Sequence, residues 1–443
     1  MSSDGDIDYA GRARETLGYS RWWLVLVAAI MMGLVSPYQY VWSSIEGPLA
    51  ESLGVPLPQL GLVFTLFVVF QAGSQFPVGW WRDEHGPRAI TLLAGVLAGG
   101  GYLGLAHATE IWQLYVLYSL GAVGVGIVYT VAVNTALKWF PDRRGLTTGV
   151  GTMAFAGGSA LFVPYVRSQA TVGGYDAVLQ NMGLLIGVGI LAGAVFLRDP
   201  PTGWPRTGSD GDEAEQTSED CSPGGGAGSD EEIDPNRSAD GGQHRRQYGW
   251  REMLRTWQFW VMYAMFVAVS GAGLMLTAKI VSFAGELGLA ATVATLSATL
   301  LPVAGGVGRL LLGEVSDRVP RTKAMAAAFT LCGVGLVLVV VTGRAGFGTG
   351  FVAAVVAATF FWSPQYTLFP SLVGDYYGEK HSSANHALVY SGKVWGGVFG
   401  GAVTGWIITV TSWTATFVLG GCLAIAAGIA ALVLRPPEDC APP

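Results

Sequence analysis

Twelve apolar runs, each long enough to cross a hydrocarbon layer about 30 Å thick, constrain this chain more than any other feature. They fall near 21–43, 58–81, 89–107, 111–137, 147–169, 177–197, 257–284, 291–312, 324–342, 348–373, 384–408 and 413–434. Lipid offers no partners for backbone N–H and C=O groups, so runs of this length read as helices that satisfy those groups internally. Charged residues make up 13% of the chain and the mean hydropathy is +0.44, whereas soluble domains carry about 25% charged residues. The expected fold class is an all-α membrane protein with twelve transmembrane helices.

The first run follows Arg12, Arg14 and Arg21 but continues through Trp42 without a small-residue cleavage site, so it reads as a span rather than a secretory signal. Cysteines 221, 332, 422 and 440 show neither a CxxC pair nor metal-ligand spacing. Starting inside, twelve spans place residues 82–88, 138–146, 198–256, 313–323, 374–383 and both termini on one side. Counting Arg21 at their edge, those segments hold 20 of the 25 basic residues, and the opposite loops hold essentially Arg344. The basic side is cytoplasmic by the positive-inside rule, in a cell-membrane protein with both termini inside.

Residues 199–250 interrupt the pattern with Gly, Ser, Pro and acidic residues that cannot bury enough apolar surface to order themselves. The expected organisation is a tail at 1–20, a six-helix bundle at 21–198, an acidic linker at 199–250, a second six-helix bundle at 251–435 and a tail at 436–443.

An internal repeat supports two equivalent halves. Gly79, Asp83, Gly86 and Arg88 follow the second run, and Gly313, Asp317, Pro320 and Arg321 follow the eighth, with glycine and aspartate offset by 234 residues. The repeated loop resembles the signature of the major facilitator superfamily, in which parallel six-helix halves hold substrate near the midplane. Gly79, Asp83, Arg88, Gly313, Asp317 and Arg321 are expected to form a conformational latch. The glycines would permit close helix approach, and each aspartate would accept from an Arg or a helix N-terminus of the other half.

Lys393 is the chain's mid-bilayer charge, about ten residues or 15 Å from the nearest membrane edge. A cation there costs at least about 2.5–3.5 kcal/mol and marks a functional site by default. The repeat offset places Arg309 opposite Gln75 and Lys393 opposite Ser159, so one half is neutral where the other is cationic. All 31 acidic residues fall in loops, tails or span ends, so the embedded charge reads as positive only. Two such cations suit a small dianion or carboxylate.

Lys279 and Arg167 lie near the outer ends of their spans and are expected to snorkel to the interface. His107, His381 and His386 read as interfacial histidines, and Trp42 as part of an aromatic belt. Tyr129 and Trp362 lie deeper, and Trp362 and Tyr366 share a helix face. HExxH, GxSxG and GxGxxG are absent, and Gly392-Lys393 is not a phosphate loop. No enzyme, metal or cofactor is implied, and gradients must drive transport.

Three stretches carry a closer resemblance: Tyr38-Gln-Tyr-Val-Trp42, Lys138-Trp-Phe-Pro-Asp-Arg-Arg-Gly-Leu-Thr-Thr-Gly149 and Ser391-Gly-Lys393, with Asp199-Pro-Pro-Thr-Gly-Trp204 after the sixth run. The chain resembles the oxalate/formate antiporter family of the major facilitator superfamily over nearly its whole length outside the linker. The resemblance implies that Arg309 and Lys393 bind the carboxylates of a dianion such as oxalate. Gln39, Tyr40, Tyr129, Trp362 and Tyr366 would enclose it, with Tyr390 where the family's oxalate carriers place a tryptophan.

Exchange also has a physical rationale: two cations about 6 Å apart at an effective dielectric near 20 repel by roughly 3 kcal/mol, which a bound anion removes. The expected partners are small carboxylate anions and the lipid bilayer, with no nucleic acid, and the chain is expected to be monomeric. Proton-coupled monocarboxylate symport, in which His386 would matter, is the alternative. A membrane sensor without transport is a distant third.

Overall fold

A computed structural model of the chain describes residues 8–140, 144–171, 173–201, 247–378 and 382–437. Ten helices in it are long and apolar enough to cross a membrane, and a shorter apolar helix covers Pro58–Gly73. The remaining span is built from consecutive short helices between residues 382 and 410. The protein is therefore a multi-pass membrane protein with twelve transmembrane helices in two six-helix halves.

The continuous spans are span 3 (Arg88–Leu105), span 4 (Ile111–Trp139), span 6 (Tyr175–Phe196), span 7 (Trp257–Glu286), span 8 (Ala291–Arg318), span 9 (Arg321–Arg344) and span 12 (Trp413–Val433). The others are broken where the sequence supplies a reason. Span 1 runs as Trp22–Val35, Pro37–Tyr40 and Trp42–Leu53, interrupted beside Pro37, and span 2 as Leu57–Gly73 and Gln75–His85. Span 5 passes from Arg144–Gly157 through a 3-10 turn at Gly158–Leu161 into Val163–Gln169, beside Pro164. Span 10 breaks between Gly348–Trp362 and Gln365–Tyr377, at Pro364. Span 11 comprises Ser382–Tyr390, Gly392–Val398, a π-helical turn at Phe399–Val403 and Thr404–Val410. Proline removes a ladder bond, and π-turns gather at functional sites.

Glycine pairs set the peripheral packing, and they repeat. A Cβ on Gly99 would meet Gly187 Cα at 2.7 Å, and one on Gly333 would meet the Gly421 carbonyl at 2.4 Å. Spans 3 and 6, and spans 9 and 12, thus cross at equivalent small-residue contacts, and both members of the second pair lie 234 residues after the first. Between the halves, a Cβ on Gly61 would meet the Gly401 carbonyl at 2.6 Å.

The end of the bundle bearing residues 82–88 and 198–201 is called here the linker side. There Asp199 joins Arg82 at 2.8 Å and Lys138 at 2.9 Å, tying the ends of spans 2, 4 and 6 together. Tyr248 docks on the other half: its N–H donates to the Tyr377 carbonyl at 2.9 Å and its carbonyl accepts from Asn385 at 2.9 Å. An amphipathic helix, Tyr9–Leu17, packs through Ala13 and Leu17 against Leu24, Trp139 and Phe140. Most of the expected acidic linker, 202–246, lies outside the described residues, as do most of the C-terminal tail, Cys221, Cys440 and His381.

Candidate functional site

Two polar contacts join the halves at mid-depth. Arg309, in span 8, is 4% exposed, donates from Nε to Ser363 Oγ at 2.6 Å and reaches across to the Thr152 carbonyl of span 5 at 3.1 Å. Lys393, in span 11, is 2% exposed and donates to Gln71 Oε1 of span 2 at 2.9 Å. Tyr366 lies between them: its ring is 4.7 Å from the guanidinium and 5.8 Å from Lys393 Nζ, and the Tyr390 ring is also 5.8 Å from that nitrogen. Ring faces of this kind attract a cation without neutralising it.

Gln39, Tyr129, Phe155, Arg309, Tyr366, Tyr390 and Lys393 line one small cavity of about 10 Å³, room for no more than one water. The breaks in spans 1, 5, 10 and 11 fall beside it and turn side chains of adjacent helical pieces inward. Among the described residues, neither Arg309 nor Lys393 forms an ion pair with a carboxylate. The cavity therefore carries two positive charges satisfied by uncharged acceptors and ring faces.

Of the residues singled out from sequence, Tyr40 is buried, packs edge-on against Phe155 at 6.0 Å and has its hydroxyl beside the Arg309 guanidinium. Trp362 is one layer back, edge-on to Tyr366 at 5.9 Å. It is wedged where a Cβ on Gly273 would stand 2.0 Å from its ring. His386 places its ring 5.8 Å from that of Tyr390, closer to the cavity wall than an interfacial histidine would be. Gln71, Thr152, Phe155 and Ser363 were not singled out from the sequence, although the repeat offset held one signal: Gln71 stands one helical turn before Gln75, the counterpart of Arg309.

Arg309 is buried at the cavity as expected, and three other expectations are corrected. Lys279 does not reach an interface: it is fully buried and paired with the equally buried carboxylate of Glu46, which also accepts from Ser282 Oγ at 3.4 Å. Span 1 runs on to Leu53, past Trp42 and through Pro48, so Glu46 sits inside the bundle and the embedded charge is not positive only. Trp42 is also fully buried, 5.0 Å from the Tyr118 ring and 6.5 Å from Phe64, rather than in a belt. Arg167 remains partly exposed near the end of span 5, where Nε donates to Thr295 Oγ1 at 3.3 Å.

The latch residues present a different picture from the close approach expected of them. A Cβ on Gly79 or Gly313 would meet its nearest neighbour only at 3.9 Å, an ordinary contact. Arg88 donates to the Leu197 carbonyl at 3.2 Å, and Arg321 to Asp375 and the Ser371 carbonyl, each within its own half. The side chains of Asp83 and Asp317 lie outside the described residues.

On the side away from the linker, further contacts bridge the halves: Glu46–Lys279, Arg167–Thr295, and Thr65, whose hydroxyl donates to the Gly397 carbonyl at 3.1 Å and accepts from the Ala402 N–H at 2.9 Å. Contacts from mid-depth outward thus close the far side over the cavity.

A model of the Major Facilitator Superfamily matches residues 22–284 and 267–442. The oxalate:formate antiporter of Oxalobacter formigenes is 33% identical over 411 residues, spanning 92% of this chain and 90% of that protein. Among solved structures, the nucleoside transporter NupG aligns with a TM-score of 0.67 at 10% identity, over 93% of this chain and 99% of that one. A bacterial homologue of the human lysosomal transporter Spinster, solved inward-facing and unoccupied, aligns with a TM-score of 0.64 at 16% identity, over 97% and 96%. At those identities the two structures bear on the fold alone. The protein is a membrane transporter rather than an enzyme, and the chain belongs to the oxalate/formate antiporter family of the major facilitator superfamily.

Proposed function

We propose that this transporter exchanges small carboxylate anions of the oxalate and formate type by alternating access, in the cell membrane with both termini cytoplasmic. One observation carries the reading: Arg309 and Lys393 are buried on a shared cavity, and their hydrogen-bond acceptors within the chain are uncharged. Burying an ion without a counter-charge costs several kcal/mol even after relaxation, and an anion binding both cations removes that cost.

Gln39, Tyr129, Tyr366 and Tyr390 then supply hydroxyl and amide groups around the anion, with the Tyr40 hydroxyl beside Arg309, while Trp362 braces the wall from behind. The cavity as it stands is too small for oxalate, so binding requires the halves to part. Closing them again without an anion brings the two cations together, which links one anion's inward movement to another's outward movement. The latch loops at Gly79–Arg88 and Gly313–Arg321 act in this scheme within each half, through Arg88 and Arg321.

Counterflow in proteoliposomes tests the proposal. Internal oxalate or formate should accelerate uptake of labelled oxalate, and no acceleration rejects exchange. His386, beside Tyr390, keeps proton-coupled monocarboxylate symport as a second reading. That reading requires uptake without internal anion that rises as the external medium is acidified.

A further inference from the structure

Gln71 is fully buried in span 2, and its two amide atoms are treated differently. Oε1 accepts from Lys393 Nζ across the boundary between the halves at 2.9 Å, whereas Nε2 has no hydrogen-bond partner among the described residues. Its backbone is held from behind, because Gly126 of span 4 packs so closely that a Cβ there would stand 2.7 Å from the Gln71 carbonyl. The side chain is therefore fixed beside the cation that borders the cavity.

An amide carbonyl satisfies an ammonium donor without cancelling its charge, while a carboxylate in that place would do both. The chain uses a carboxylate for Lys279 and an amide for Lys393. Arg309 is treated as Lys393 is, by a hydroxyl and a backbone carbonyl. Two basic groups that no carboxylate among the described residues neutralises consequently face one cavity.

We propose that Gln71 sets the charge of the anion that the site accepts. By holding Lys393 through an uncharged acceptor it keeps both cations available, which selects a small dicarboxylate dianion over a monocarboxylate. Its unpartnered N–H group donates to the carboxylate bound at Lys393. This inference rests on the anion-exchange reading of the same site.

The test is counterflow of labelled oxalate and labelled formate by the full chain in proteoliposomes, comparing wild type with Gln71→Glu and Gln71→Leu. Glutamate at this position pairs with Lys393 and leaves Arg309 alone, so the oxalate-to-formate ratio should fall at least about tenfold while formate exchange persists. Leucine adds no charge and should preserve the preference. Its half-saturating oxalate concentration should rise about fivefold at an unchanged maximal rate, as for one lost hydrogen bond.

An unchanged ratio in Gln71→Glu overturns the inference, and so does an equal fall of the ratio in both variants. Unchanged half-saturation in Gln71→Leu overturns the amide's role and keeps the inference falsifiable even if the glutamate variant does not fold. Wild-type counterflow with unaltered selectivity in Gln71→Glu rejects the inference alone. Failure of wild type to exchange either anion rejects the anion reading and this inference together.

Discussion

Lys279 and Lys393 are both buried to within 2% exposure, both lie on the boundary between the halves, and the chain treats them in opposite ways. Lys279 meets the carboxylate of Glu46, itself fully buried, so the pair is neutral and joins span 1 to span 7. Lys393 meets an amide oxygen and the faces of Tyr366 and Tyr390, so its hydrogen bonding is served while its charge stands. A buried ion that a protein neutralises is a fastener, whereas one that it solvates without neutralising is left for a partner of opposite charge. Their depths agree with this division. The neutral pair lies in the layer that closes the far side, and Lys393 lies at the cavity beneath it.

Breaking the fastener should have the largest effect. Glu46→Gln leaves Lys279 buried without a counter-charge, which costs about 3–5 kcal/mol in the closed arrangement. The expected outcome is a lower thermal stability and faster labelling of a cysteine placed at Ser282 by an impermeant reagent from the far side. Adding Lys279→Met should reverse most of both changes, because it removes the uncompensated buried cation and leaves only a neutral amide in its place. Unchanged labelling in Glu46→Gln would show that the pair does not hold the halves together.

Lys393→Gln should behave in the opposite way, with activity lost and stability kept. Losing one charged contact to a carboxylate, at about 3 kcal/mol, weakens oxalate exchange roughly 100-fold. Melting temperature should hold or rise, since removing an uncompensated buried cation takes away a cost. A melting temperature that fell as far as that of Glu46→Gln would erase the distinction between the two lysines. Arg309→Lys preserves charge but not the planar fork that reaches both Ser363 and Thr152. Its half-saturating oxalate concentration should rise about tenfold, an effect of roughly 1–1.5 kcal/mol.

Much of this was legible in the chain because membrane physics leaves few options: apolar runs become helices, and a repeat becomes two halves. The offset carries further than the loop that revealed it, since Gly99 and Gly187 map onto Gly333 and Gly421 and all four sit at equivalent helix crossings. Lys279 was misread because an apolar run shows where a helix begins to thin, not where its neighbours lie. Glu46 fell beyond the first run, 21–43, as hydropathy draws it, while the helix continues to Leu53 with Pro48 inside it. The offset held the missing clue: Ile45 corresponds to Lys279 and Glu46 to Ile280, so the two charges are adjacent across the axis that relates spans 1 and 7. Gln71 left a fainter trace, one helical turn before Gln75. Its own counterpart is Gly305, and a neutral amide in an apolar run carries little signal until the cation it faces is placed in space.

The smallest effects should come from two hydroxyls, one on each side of the comparison. Ser363 Oγ accepts from Arg309 Nε at 2.6 Å, in a buried site at the break of span 10, so Ser363→Ala leaves a charged donor without its acceptor. That loss is worth about 1–1.5 kcal/mol, which raises half-saturating oxalate roughly five- to tenfold through the orientation of the guanidinium. Ser282 Oγ lies 3.4 Å from Glu46, a long contact to a carboxylate already paired with Lys279. Ser282→Ala should therefore leave both exchange and melting temperature unchanged within error. If Ser282→Ala matched Ser363→Ala in its effect on oxalate affinity, the far-side pair would belong to the anion's path, and the division between fastener and site would have to be redrawn.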